Sequence, residues 1–288
     1  MNGRIISTSG GIYRVYVNGI YYDLFPKGIF KYRKEHLCVG DEVSFNEQEC
    51  VIEEIYPRKN ELIRPRCANV DLIIVTMSVV RPELSEELLY KFLTYAAMNN
   101  VPAKVLFTKT DCISDFSEIE RIKNDLAKIG IEVIFANGNQ AEITDKLRLI
   151  INEKIVLFMG QTGVGKSSII NEIDPTFARK IGEYSNALGR GKHQTKEVIL
   201  LPYEKGFVAD SPGFSSLDLM MYKEDLAQYF PGYHEHYLEC YFSNCLHQNE
   251  KQCKIKEEIS KNNLSMQGYE IYLKLLNELE YKQERYKQ

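Results

Sequence analysis

Gly160-Gln161-Thr162-Gly163-Val164-Gly165-Lys166-Ser167 is the stretch on which the reading of this chain turns. It has the form G-x-x-x-x-G-K-S. It follows the apolar run Lys154–Met159 and opens a helical pattern over Ser167–Ile173. Strand, glycine loop and helix in that order are the context a phosphate-binding loop needs. The glycines let consecutive backbone N–H groups wrap phosphate oxygens, and the helix N-terminus adds partial positive charge. Lys166 is expected to reach the β- and γ-phosphates, and the Ser167 hydroxyl to ligate Mg²⁺. Ser168 completes the expected phosphate-binding set.

Outward from this loop, strands and helices alternate. Val70–Val79 is a near-continuous apolar run, as in a parallel strand buried on both faces. Helical patterns cover Ser85–Asn99, Phe116–Ile129 and Ile143–Ile151, and strands are expected at Val101–Phe107 and Ile131–Ala136. Val198–Pro202 and Gly206–Ala209 read as a hairpin. Such alternation predicts a parallel sheet with helices on both faces.

Two further motifs sit at strand ends. Asp210-Ser211-Pro212-Gly213 is D-x-x-G, in which the Asp stands beside Mg²⁺ through water and the Gly213 N–H faces the γ-phosphate. Thr108-Lys109-Thr110-Asp111 is similar to the guanine-reading N-K-x-D of GTPases. Asp111 can accept from guanine N1–H and N2–H₂, donors that adenine lacks in that arrangement, and the Lys109 stem can cover the base. Thr108 stands where Asn is usual. It keeps a hydroxyl and loses an amide. In Ras-like enzymes the P-loop comes first. Here the base-reading motif precedes it, as a circular permutation of the same sheet would produce.

Residues 1–62 read as a small β-barrel of the OB type, with an SH3-like barrel also fitting. Asn18-Gly19, between Arg14–Val17 and Ile20–Asp23, predicts a type I′ hairpin turn. Further strands are expected at Glu42–Asn46 and Val51–Tyr56. Tyr13, Tyr16, Tyr21, Tyr22 and Tyr32 either stack on nucleic-acid bases or pack the sheet. Residues 221–288 hold Cys240-x₄-Cys245-x-His247-x₅-Cys253, whose thiolates and imidazole suit a closed, structural tetrahedral Zn²⁺ site. His234 and His236 are rival ligands. A long helical pattern with Tyr269, Tyr272, Leu275, Leu276 and Leu279 closes the chain.

Composition sets the bounds. The chain has 288 residues, 44% of them hydrophobic and 26% charged, which excludes a mainly disordered or fibrous protein. The apolar run Leu72–Val80 is too short to span a bilayer, and no secretory signal precedes Val15, so a cytoplasmic protein with no membrane partner is expected. In that compartment the seven cysteines read as ligands or core residues rather than disulfides. The net charge of −4 does not suggest a protein that coats nucleic acid through bulk charge, and leaves room for a local basic face. Residues 1–66 carry ten basic and nine acidic side chains, and residues 221–288 carry nine and eleven. An RNA partner would have to be held by shape and a few placed contacts.

Together these motifs resemble the circularly permuted GTPases of small ribosomal subunit biogenesis, the RsgA or YjeQ/YloQ type. The resemblance extends to Arg58-Lys59-Asn60-Glu61-Leu62, Ala68-Asn69-Val70-Asp71 and the late Cys/His cluster. It implies an OB-like RNA-binding domain over 1–62, a permuted P-loop GTPase domain over 63–220 and an α-helical zinc domain over 221–288. Gly189-Arg190-Gly191-Lys192-His193-Gln194-Thr195-Lys196 matches the family's G-x-H-T-T-T switch. It implies Thr195 as the second Mg²⁺ ligand and γ-phosphate sensor. It also implies His193 as the group that orients water, because Phe214 stands where Ras-like enzymes carry Gln and a phenyl ring cannot do so. By residue reasoning alone His193 is equally a solvent-facing loop residue. Phe135-Ala136-Asn137 is a weak match to the guanine-supporting S-A motif.

The resemblance further implies GTP and GDP as ligands, Mg²⁺, one structural Zn²⁺, and a monomer that binds the small ribosomal subunit through 16S rRNA and not DNA. Hydrolysis, with Lys166, Thr195 and His193 as the catalytic set, would be coupled to late subunit maturation and to release. Two rivals stand beside this reading. One is a nucleotide-switched regulator with a protein partner. The other is an RNA-binding module in which nucleotide serves structure only.

Overall fold

The computed structural model describes residues 1–33, 35–136, 140–179, 198–211 and 217–286. In chain order the strands are β1 (Asn2–Ser9), β2 (Ile12–Val17), β3 (Ile20–Pro26), β4 (Glu42–Asn46), β5 (Val51–Ile55), β6 (Glu61–Ile63), β7 (Arg66–Ala68), β8 (Leu72–Ser78), β9 (Ala103–Thr108), β10 (Val133–Phe135), β11 (Ile155–Met159), β12 (Ile199–Tyr203) and β13 (Gly206–Asp210). The helices are α1 (Gly28–Arg33), α2 (Glu86–Met98), α3 (Ser117–Ala127), α4 (Gln140–Ile151), α5 (Lys166–Ile173), α6 (Lys223–Tyr229), α7 (His234–Tyr237), α8 (Lys254–Ser260) and α9 (Met266–Tyr286). The fold divides into two units: Met1–Ile74 with Asn139–Gly213, and Val75–Gly138 with Phe214–Gln288.

In the first unit β1 to β5 close a barrel in the order β1-β2-β3-β5-β4. Asn18 (φ 47°) and Gly19 (φ 92°) make the predicted turn, and they set Val17 opposite Ile20 and Tyr16 opposite Tyr21. Closure runs through a short parallel contact, Phe25 with Val51 and Pro26 with Ile52, and α1 lies between β3 and β4. This is the OB arrangement. Ile5, Val15, Leu24, Phe30, Val43, Phe45 and Ile52 form the barrel core, with Tyr13 and Tyr22 packed against it. Those two tyrosines therefore serve packing, whereas Tyr32 is 89% exposed.

The segment after the barrel is a set of clamps. Buried Asp41 accepts from the Cys38 N–H at 2.7 Å and from Arg58 Nε at 2.6 Å and Nη2 at 2.8 Å. The Asn60 side chain bonds the backbone of Val70 in both directions, at 2.8 and 2.9 Å. Asp71 caps the start of β11, accepting from the Ile155 N–H at 2.7 Å. Gly40 adopts φ +94°, and a Cβ there would lie 2.1 Å from the Ala68 carbonyl oxygen, so only glycine fits.

A six-stranded sheet runs in the order β10-β9-β8-β11-β13-β12. All seven residues of β8 are buried, as its unbroken apolar run requires. β11 and β13 pair in parallel, which sets Phe158 beside Asp210, and β12 joins antiparallel. In the second unit Ser85 caps α2 by accepting from the Leu88 N–H at 3.2 Å. Tyr90 on α2 stacks on Phe230 with ring centroids 5.1 Å apart, and Ser265 Oγ donates to Asp125 on α3 at 2.7 Å. Among the described residues no helix is long and apolar enough to cross a membrane.

Candidate nucleotide site and metal cluster

β11 ends in the loop 160–165, and α5 begins at Lys166. Gly163 and Gly165 adopt φ 82° and 98°, values that a Cβ would strain. Lys166 is buried. Its Nζ donates to the carbonyls of Gly160 and Gln161, both at 2.8 Å. Burial pulls the ammonium down to about 8, and the nearby Asp210 carboxylate opposes that shift. Asp210, at the end of β13, is raised by burial, against the pull of Lys166 and of a hydrogen bond from Ser167. Its Oδ1 is buried without a hydrogen-bond partner among the described residues.

These features fit a nucleotide and a hard cation. Ser167 Oγ and a carboxylate oxygen are the oxygen donors Mg²⁺ prefers, and the orphaned Oδ1 has an acceptor to spare for a metal-bound water. Lys166 spends its donors on loop carbonyls that a phosphate would replace. Ser167 and Ser168 are exposed at the start of α5.

The base-reading motif lies in the other unit. Thr108 ends β9, and its hydroxyl donates to the Met77 carbonyl at 3.3 Å, so its bond goes to the adjacent strand. Lys109 adopts φ 59°, and its Nζ donates to the Arg81 carbonyl. Thr110 Oγ1 donates to the Ala136 carbonyl at 2.5 Å, which ties the turn to the strand end where the S-A-like segment was expected. Asp111 is exposed. Asn137 lies outside the described residues, as do Gly213, Phe214 and the whole segment 180–197 with His193 and Thr195.

Also in the second unit, Cys240, Cys245, His247 and Cys253 bring one ligand atom each to within 4.8 Å of one another. His247 Nδ1 lies 3.3 Å from Cys253 Sγ and 3.7 Å from Cys240 Sγ. Its Nε2–H donates to the Ala227 carbonyl at 3.0 Å, which leaves the Nδ1 lone pair facing the sulfurs. Burial holds the imidazole below its ordinary pKa and pushes the Cys245 thiol up to about 12. A bound cation reverses the thiol shift, because the thiolate is the ligand. Three sulfurs and one nitrogen fit a closed tetrahedral site.

His234 and His236 do not join the cluster. His234 stacks on Tyr229, and His236 Nδ1 lies 3.8 Å from Glu239. Sequence reasoning missed the groups that brace the cluster from behind. Tyr269 donates to the His247 carbonyl at 2.6 Å, and Tyr272 to the Leu246 carbonyl at 2.7 Å. Their i, i+3 spacing had marked them only as one face of a helix.

Known proteins resemble this sequence and this fold. The sequence model of the RsgA GTPase family matches residues 55–220. The chain is 37% identical over 294 residues to the small ribosomal subunit biogenesis GTPase RsgA of Staphylococcus carnosus, with 99% of each chain covered. It is 38% identical over 291 residues to that of Streptococcus pyogenes, covering all of this chain and 98% of the other. Among solved structures it is similar to YloQ, a circularly permuted GTPase, with a TM-score of 0.79 at 31% identity, covering 98% of this chain and 95% of that one. It is also similar to YjeQ from Thermotoga maritima, with a TM-score of 0.81 at 27% identity, covering 96% and 98%.

Proposed function

This chain belongs to the RsgA GTPase family, and from that premise we infer a GTP hydrolase that times its stay on the small ribosomal subunit. The loop 160–165 takes the GTP phosphates, and the base-reading role falls to Asp111. Lys166 exchanges its two carbonyl bonds for oxygens of the β- and γ-phosphates. Ser167 and Thr195 would hold Mg²⁺, with Asp210 beside it, and the ion would supply positive charge to the phosphates. His193 orients the attacking water, whose oxygen bonds to the γ-phosphorus as the bond to the β–γ bridging oxygen breaks. GDP and phosphate result.

The γ-phosphate, sensed through Thr195 and the D-x-x-G motif, favours the subunit-bound state, and hydrolysis reverses that preference. The protein acts as a monomer in the cytoplasm and contacts 16S rRNA. Cys240, Cys245, His247 and Cys253 hold a structural zinc.

One observation carries the nucleotide half of this reading. Buried Lys166 is bonded only to the carbonyls of its own loop among the hydrogen bonds described, beside a buried carboxylate with an unused oxygen. The test is hydrolysis of GTP and of ATP, with and without purified small subunits. Stimulation of GTP hydrolysis alone, abolished in Lys166→Ala, supports the reading. Hydrolysis indifferent to subunits leaves the nucleotide site standing and sinks the ribosomal timer, and a regulator with a protein partner then moves ahead.

A further inference from the structure

Ser78 is the last residue of β8 and Thr108 the last of β9. In open α/β sheets a ligand lies outside the carboxyl ends of the strands, so whatever fixes those ends shapes the site. Ser78 is 1% exposed, yet its hydroxyl is fully engaged. Its Oγ accepts from the Val80 N–H at 3.2 Å and from the Arg81 N–H at 3.1 Å, and it donates to the Arg81 carbonyl at 3.0 Å. A hydroxyl has one donor and two lone pairs, so Ser78 is spent entirely on the turn 78–81. A carboxylate at 78 would accept both N–H groups and offer the carbonyl nothing. The Arg81 carbonyl takes a second donor, the Lys109 ammonium. The strand ends are joined again where the Thr108 hydroxyl donates to the Met77 carbonyl at 3.3 Å and the Val79 N–H to the Thr108 carbonyl at 3.2 Å.

We propose that Ser78 is a positioning residue for the base of a guanine nucleotide. Through the Arg81 carbonyl it fixes the Lys109 ammonium, and so the stem that covers the base. This rests on the reading of residues 108–111 as the base-reading motif. Lys109 needs such a fixture. Its φ of 59° is one an L side chain adopts at a cost, and a backbone of that kind persists where its neighbours over-determine it. They do so here. The Cys112 N–H bonds the Lys109 carbonyl at 3.0 Å, and Thr110 Oγ1 donates to the Ala136 carbonyl at 2.5 Å. Those bonds set the backbone of the motif, and the Arg81 carbonyl sets the side chain. A lysine stem is long and flexible, so its far end must be held if its body is to lie in one place. Held before the nucleotide arrives, it leaves less ordering to be done on binding. The Thr108 hydroxyl bonds the same strand, so the end of β8 braces the motif at both its first and its second residue.

The experiment is an equilibrium titration with GDP of the full-length protein, of Ser78→Ala, of Lys109→Met, of the two combined, and of Asp111→Ala. Methionine keeps an apolar stem and removes the ammonium. Ser78→Ala and Lys109→Met should each weaken GDP binding about tenfold, the scale of one hydrogen bond to a charged group. The double variant should also lose about tenfold, because the second change removes only what the first has already disconnected. A loss of about hundredfold, the product of the two, means that Ser78 acts through the fold and not through Lys109, and overturns the proposal. In Ser78→Ala, KM for GTP should rise with the GDP Kd while kcat stays within about twofold, since a base clamp holds ground state and transition state alike. A fall in kcat with KM unchanged also overturns it. Weakened GDP binding in Asp111→Ala with none in Ser78→Ala overturns the proposal and leaves the base-reading assignment standing. Undiminished binding in all four variants sinks both.

Discussion

The phosphate loop and the cysteine cluster are both sites for charge, and they are held in opposite ways. In the loop, the buried Lys166 already has partners, because Gly160 and Gln161 turn their carbonyls toward it. Backbone geometry preforms the site, and the ligand replaces internal bonds. In the cluster, three thiols and an imidazole converge within 4.8 Å, and burial raises the Cys245 and Cys253 thiols. The tyrosine hydroxyls and the Ala227 carbonyl orient that loop, and a cation would satisfy the three sulfurs together. One site is held by bonds within its own loop, which a phosphate would replace. The other gathers buried thiols whose burial a bound cation would offset.

Metal removal puts the greatest strain on this contrast. Structural zinc is worth about 10–16 kcal/mol in small domains, so a chelator or Cys253→Ser should melt the segment 221–286. Loss of near-ultraviolet circular dichroism from its tyrosines would report this. A cluster that keeps its signal without metal would erase the distinction drawn here. Next in size, Lys166→Ala should cut GTP turnover by about 10²–10³, typical for loss of one charge-stabilising group, with little loss of stability. Steady-state hydrolysis and thermal melts check both halves.

A third test exploits the buried ammonium. The folded pKa of Lys166 is about 8 against 10.5 ordinarily, so the unfolded chain binds more protons between those values. The burial penalty is fully present below pH 8. It is relieved as pH rises toward 10.5, by roughly 3 kcal/mol at most. Cysteine thiols titrate in the same window, so the quantity to compare is wild type minus Lys166→Met. Urea melts at both ends of the range should show that difference shrinking with pH. A constant difference would mean that Lys166 is not penalised by burial. Smallest of the four, Tyr272→Phe removes one hydrogen bond to the Leu246 carbonyl and should lower stability by about 1 kcal/mol. The loss should be larger without metal than with it, if the tyrosines brace a loop that the cation otherwise holds.

Much of this molecule was legible before folding. The expected helix over Ser85–Asn99 is α2 with Ser85 as its cap, and the run Val70–Val79 contains β8. The hairpin at Asn18-Gly19, the P-loop and the cysteine spacing are local patterns, readable because their chemistry lies within a few consecutive residues. Less was legible where a partner is distant in sequence. Nothing in Arg58-Lys59-Asn60 announces that Arg58 clamps Asp41 or that Asn60 grips Val70. Neither α1 nor the β6–β7 hairpin gave a periodic signal, since α1 has six residues and the two strands three each.

By itself, then, the sequence determined the alternation of strands and helices around the phosphate loop, the permuted arrangement of the motifs and the cysteine spacing, because turn chemistry and hydrophobic period are short-range. The tertiary structure alone decided that His247 and not His234 or His236 completes the cluster. It also decided that Asp210 keeps an oxygen without a partner, and that Tyr13 packs the barrel while Tyr32 faces solvent. Each of these depends on which groups burial removes from water and which others then lie within hydrogen-bonding reach, and no local pattern in the chain encodes that.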